Sequence, residues 1–251
     1  MANSNIHGLQ ATLNRQFTHG SSLQVNYTWS HAIDDASDGF RPQQTEFPFP
    51  ANSFYLNREK GSSSFDVRNR AIIDYVAGLP FGRGQDHLNT GLVGKVLEGW
   101  SWSGIATLQS GFPIEIFEAG VDNDGTGAQQ RASYAATPTN IPFQPGLPAT
   151  GPNRGLFTFP LFGGPGTVRR NSFYGPGYKN FDMVIAKDTK LTERVHLEFR
   201  SEYYNILNHP NFQQPDNLIN DSTFGESAAQ IGRPDGTTGA RQLQFAMKVK
   251  F

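Results

Sequence analysis

Apolar and polar residues alternate with a period of two along seven stretches of the chain. In "LQATLNRQF", Leu9, Ala11, Leu13 and Phe17 share one side, while Gln10, Thr12, Asn14 and Gln16 share the other. "LQVNYTWSHAI" sets Leu23, Val25, Tyr27 and Trp29 against Gln24, Asn26, Thr28 and Ser30. The pattern recurs in "RNRAIIDYVAGL", with Ile72 and Val76 as exceptions on the polar side, and in "GWSWSGIATLQS", "FDMVIAKDTKL", "RVHLEFRSEYYNIL" and "ARQLQFAMKVKF". A two-residue period is the mark of a strand with one apolar face. It predicts strands near 6–17, 21–33, 66–79, 97–110, 179–191, 194–207 and 240–251.

These segments are long. Strands in soluble proteins average about 5 to 6 residues, whereas a tilted strand needs about 9 to 11 to cross a bilayer. The connections point the same way. "THGSS" (18–22) and "KLTER" (190–194) are tight turns, 80–97 is a medium link, and 35–65, 111–178 and 208–239 are long and rich in glycine and proline. With the C-terminus on the periplasmic side, every long loop falls outside the cell and every shorter one falls inside. Short periplasmic turns and long extracellular loops are the habit of outer-membrane barrels, and compact soluble domains seldom hold loops above about 15 residues. The expected fold is all-β: a partial, antiparallel up-and-down transmembrane β-barrel in which 1–251 is one domain.

Composition narrows the function. The 251 residues carry a formal net charge of -1, so no basic field points to nucleic acid. Cysteine is absent, which removes disulfide and thiolate chemistry. Mean hydropathy is negative, and no run approaches the roughly 18 apolar residues of a spanning helix; a barrel escapes both tests because half of each strand faces water. "MANSNIHGLQ" has neither the basic nor the apolar region of a signal peptide, so none is expected there. Of the 16 prolines, nine lie between Phe112 and Tyr178 and none interrupts a predicted strand.

The strand faces suggest environments. Arg194, His196, Glu198, Arg200 and Glu202 form a polar row suited to a hydrated lumen, where charges can pair across strands. Trp100, Trp102, Phe81, Phe17, Phe251, Tyr27 and Trp29 gather near strand ends, the level favoured by the aromatic girdles of a membrane barrel.

A family resemblance sits on the run "RNSFYGPGYKNFDMVIAKDTKLTERVHLEFRSEYYNILNHPNF" (170–212). It resembles the C-terminal barrel of TonB-dependent outer-membrane receptors, specifically the Oar-like, acidobacterial type with a carboxypeptidase-regulatory-like N-terminal domain. The matching residues are Gly175-Pro176-Gly177, Asp182, Lys187, Glu193-Arg194, Phe199-Arg200, Glu202, Asn205 and Asn208 to Phe212. Residues 3–35, 65–82 and 99–114 resemble the preceding strands of that group. Such receptors close about 22 strands around a plug. Against that, seven strands imply a partial barrel with the plug domain absent, and TonB reached only through that plug. The resemblance also implies that the final strand is read by the barrel-assembly machinery through Leu243, Phe245, Met247, Val249 and Phe251. Ligand capture would fall to the external loops, chiefly 111–178. There Arg154, Phe157, Phe159, Arg169, Arg170 and Tyr174 are the candidates, with Phe162 and Phe173 beside them. Expected partners are outer-membrane lipid, the assembly machinery and the rest of the same receptor; the ligand is unknown.

Other chemistry is weaker. "VDNDGTGAQQ" (121–130) places Asp122, Asn123 and Asp124 before Gly125, as a calcium loop would, but its twelfth position is Ser133 rather than a glutamate. The six histidines lack metal-ligand spacing. "GLPFGRG" (78–84) fits no phosphate loop, and no helix is predicted to follow it. Without a G-x-S-x-G elbow or any cofactor fingerprint, no enzyme and no cofactor are expected. Two alternatives stay open: a stand-alone or oligomeric barrel of adhesin-like structural type, and a soluble β-sandwich binding module.

Overall fold

A computed structural model describes residues 3–17, 20–37, 50–52, 54–82, 85, 87–118, 130–135, 154–160, 166–232 and 239–251. Seven long strands carry the fold: β1 (Ser4–Gln16), β2 (Ser22–Asp34), β3 (Asn69–Gly78), β4 (Trp100–Gln109), β5 (Tyr178–Lys190), β6 (His196–Tyr204) and β7 (Gln242–Lys250). Each pairs antiparallel with its neighbours in chain order, giving a single meander. Among the described residues the sheet does not close, so β1 and β7 each present a free edge.

Register fixes which side chains share a face. Leu13, Val25 and Ile73 lie side by side across β1 to β3, and Ile73 faces Ala106 on β4. Phe181 continues the row on β5, and Met183, Tyr203 and Leu243 extend this face to β7. This face is apolar and stays exposed: Leu9, Leu13, Leu243, Phe245 and Met247 are all more than half exposed. A soluble protein would cover such a face; lipid covers it in a barrel. One glycine on it has a visible reason. A Cβ at Gly104 would meet the Asp182 carbonyl and the Tyr75 ring, which lies across the gap between Trp102 and Phe181.

The two ends of the sheet differ. At the short-turn end, the link between β3 and β4 holds a helix, α1 (Gly91–Leu97), where the sequence predicts none. Seven residues with two glycines give no legible helical signal. Tertiary bonds hold it instead: the Trp100 indole and the Lys187 ammonium both donate to the Val96 carbonyl, at 3.0 and 2.5 Å. No helix among the described residues is long and apolar enough to cross a membrane. At the other end the long loops fold together into a cap. Four short pairings stitch it: Gly61–Ser62 on the end of β2, Pro113–Ile114 with Phe173–Tyr174, Phe117–Glu118 with Gln130–Arg131, and Ser133–Tyr134 with Phe157–Thr158.

Candidate functional site

The cap contains the hydrophobic core found among the described residues. Ile114, Ile116, Ala132, Phe157, Val168 and Phe173 from the loop between β4 and β5 pack with Ile219 and Phe224 from the loop between β6 and β7. Phe157 meets Phe173 and Phe224 edge-on, at 5.4 and 5.7 Å between ring centroids. Such aromatic contacts add about 0.5–1.5 kcal/mol beyond burial.

Charged groups tie in the third loop. The Arg131 guanidinium donates to Glu59 and Glu115, all three nearly sealed from solvent. Burial works against the Arg131 charge, but the two carboxylates outweigh it and push the pKa up. A second pair joins Arg170 to Asp34 at 2.6 Å, with Arg170 also donating to the Asp34 carbonyl and to Ser37 Oγ. The Tyr174 hydroxyl lies 3.1 Å from Ser62 Oγ and accepts from Arg68 at 2.8 Å. All three loops thus form one folded unit.

Three asparagines clasp the loop between β6 and β7. Asn205 ends β6 at φ +48, and its amide donates to the His209 and Gly239 carbonyls, at 2.9 and 2.7 Å. Its own N–H donates to Asp182 on β5. Asn208, also left-handed at φ +51, accepts from the Arg241 N–H at 3.1 Å. Asn211 exchanges two hydrogen bonds with the Lys179 backbone. Asparagine tolerates this backbone and bonds locally, which suits both demands.

Beneath this loop lies a cavity of about 420 Å³, lined by Tyr178, Asn180, Asp182, Tyr204, Gln242 and Gln244 from the wall. Asn211, Ile231, Gly232 and Gly239 close it from the cap. Every wall residue in it stands on the face opposite the apolar one, hence on the lumen side. A second recess of about 200 Å³ adjoins it and shares Tyr178 and Ile231. Hydroxyls, amides and one carboxylate around two aromatic rings make this a built polar pocket.

Further down the lumen side, charges pair across strands. Lys250 reaches Glu198 at 2.5 Å and Asp188 at 3.7 Å, and His196 Nδ1 lies 2.8 Å from Asp188. Arg200 binds Glu202 at 3.0 Å, and Glu202 accepts from the Tyr204 hydroxyl. Ile72, Val76, Ile105 and Val184 also stand on this face, but not as a row: Ile105 lies between Asp74 and Asp182, and Ser103 lies between Val76 and Val184.

The sequence-predicted residues divide. His196, Glu198, Arg200 and Glu202 share one face of β6, opposite the apolar one, but Arg194 does not join them. The Leu191 and Thr192 N–H groups both donate to the Val195 carbonyl, closing a turn that takes Arg194 out of the strand. Leu243, Phe245, Met247 and Val249 share the exposed apolar face, and Phe251 is fully exposed. Of the candidate ligand residues, Phe157 and Arg170 are buried inside the cap and hold it together. Tyr174 is engaged with Ser62 and Arg68. Phe159 and Arg169 are exposed. The Arg154 side chain, Phe162 and the calcium-loop candidates Asp122, Asn123, Asp124 and Gly125 lie outside the described residues. Of the cavity liners, Gln242 and Gln244 are legible from the alternation of the last strand as its polar row, whereas Tyr178, Asn180 and Tyr204 are not singled out by sequence, although strand parity places them on the same face.

A model of the family described as an outer membrane beta barrel domain matches residues 1–244. No curated protein and no solved structure matches the chain. Meander, exposed apolar face and family match coincide, so the chain belongs to the outer membrane beta barrel domain family and resides in the outer membrane of a Gram-negative bacterium.

Proposed function

We propose that this segment is the C-terminal wall and external cap of a TonB-dependent receptor of the Oar-like type, which captures a ligand outside the cell and passes it inward. The observation that carries the reading is the cap. Two external loops share one apolar core, buried ion pairs tie the third to them, and the cap overhangs a polar cavity that opens on the lumen side. The residues resembling that receptor group, Asp182, Asn205, Asn208 and Asn211, are the ones that hold this overhang in place. Receptors of this type hold a plug inside the barrel. Energy would come from the TonB complex through that plug.

Membership of an outer-membrane family removes the soluble sandwich alternative. The free edges of β1 and β7 need partners, because unpaired backbone in lipid costs several kcal/mol per group. Further strands of the same receptor are the proposed partners. The same edges favour a second reading, completion by other copies of the chain; a heat-modifiable oligomer in detergent would support it. β7 is the strand offered to the assembly machinery, by β-augmentation along its free edge with Phe251 as anchor.

The test is uptake by the receptor containing this barrel, with labelled oligosaccharides, peptides and siderophores as probes. One probe should enter only while the inner-membrane proton gradient is intact, and Tyr204→Ala with Asn180→Ala should cut its uptake at least tenfold. Uptake that persists after the gradient collapses would mean a passive pore. Deleting 121–170 is the blunter experiment, since Phe157 and Val168 of the cap core go with it.

A further inference from the structure

We infer that α1 is an amphipathic foot lying outside the barrel wall, in the phospholipid leaflet on the periplasmic side. Two observations place it there. Trp100 pairs with Lys187 across β4 and β5, and both stand on the face of Trp102 and Ile185, which is the lipid face. Both side chains then bind one atom, the Val96 carbonyl in the last turn of α1. The helix is therefore fastened to the outside of the wall.

Its exposed surface has the matching chemistry. Leu92, Val93 and Val96 are 82%, 58% and 61% exposed, and at 3.6 residues per turn they fall within an arc of about 100°. Lys95 flanks that arc. Gly94 is the helix's buried residue, packed on the Leu88–Asn89 backbone, and the apolar arc on the other side has no cover among the described residues. The helix's last turn is joined through the Val96 carbonyl to Trp100, where the lipid-facing row of β4 begins. An apolar arc edged by lysine, at the level of a tryptophan girdle, is the pattern of an interfacial helix.

The placement also accounts for Lys187, which closes the lipid-facing row Phe181, Met183 and Ile185 of β5 at the α1 end, as Lys179 closes it at the cap end. A charge facing lipid is costly in mid-membrane but not at its edge. Lys187 lies at that edge, 5.2 Å over the Trp100 ring, with its ammonium on a helix C-terminal carbonyl. Cations favour that end of a helix.

The inference rests on the membrane-embedded wall, so its test measures both. The chain has no cysteine, and single variants Leu92→Cys, Phe245→Cys and Glu193→Cys can each carry an environment-sensitive fluorophore. The labelled full chain is reconstituted in phosphatidylethanolamine–phosphatidylglycerol vesicles doped with nitroxide lipids. Position 92 should be quenched several-fold more by headgroup-level nitroxides than by tail-end ones. Position 245 should show the reverse, and position 193 should respond to neither. A label at 92 that behaves like 193, or that shifts blue without lipid quenching, overturns the inference, the second outcome meaning protein cover instead. An unquenched 245 overturns the embedded wall, and the foot with it.

Discussion

In the wall, Leu243, Phe245, Met247 and Val249 point away from the protein and stay exposed; in the cap, Ile114, Ile116, Phe157 and Phe224 point inward and are sealed. Among the buried apolar side chains described, Ala32 alone belongs to a wall strand. The polar groups are reversed as well. Charges on the polar face of the wall are partly exposed and pair across strands, as Lys250 with Glu198, or along one, as Arg200 with Glu202, whereas the Arg131 and Arg170 pairs of the cap are buried with near-complete exclusion of water. One chain therefore folds against two solvents. Lipid takes the part of the core for the wall, and the cap must make its own.

That difference predicts separable stabilities. The largest effects belong to the cap's buried charges. Glu115→Ala leaves Arg131 short of a partner, and losing one member of a buried pair typically costs about 3–5 kcal/mol. Proteolysis of intact vesicles should then cut the cap while the heat-modifiable gel shift of the wall persists; simultaneous loss of both would break the distinction. Phe224→Ala should act the same way, by about 3–5 kcal/mol, through the cavity it leaves.

Next comes the wall. Met247 lies midway along β7, where an arginine facing lipid costs about 2–4 kcal/mol. Met247→Arg should lower folding stability in vesicles by that amount, whereas Lys248→Met on the lumen side should change it little. Equal effects would mean that β7 has no lipid face. A smaller change is expected from Asn205→Ala, which removes three hydrogen bonds at a left-handed residue, at about 1–3 kcal/mol. Its mark is faster hydrogen exchange over 205–241 without change in β1 to β4. The smallest is Lys187→Met, below about 1 kcal/mol, read as loss of protection at α1 alone.

The same contrast explains what the sequence made legible. Wall strands repeat one two-residue pattern over nine to thirteen positions, so lipid-facing rows such as Leu23, Val25, Tyr27 and Trp29 can be read directly. The cap has no period. Its strands are two residues long, and its core gathers positions from Ile114 to Phe224 that no local window contains. Arg170 and Asp34 are 136 residues apart, so the aromatics and arginines of 154–174 read from sequence as ligand-binding groups when several are ties. Helix α1 escaped because its fastening comes from Trp100 and Lys187 on other elements. The asparagines of "YNILNHPNF" were visible as a motif, but their roles were not, since their partners Lys179, Gly239 and Arg241 sit on other segments.

The central claim is that one face of the wall meets lipid and the other meets water. Single cysteines at each position of β7 from 242 to 250, in reconstituted full chain, test it most directly. Positions 243, 245, 247 and 249 should be quenched by nitroxide lipids and shielded from a charged maleimide, while 242, 244, 248 and 250 should show the opposite. Quenching and labelling that do not alternate along the strand would contradict it.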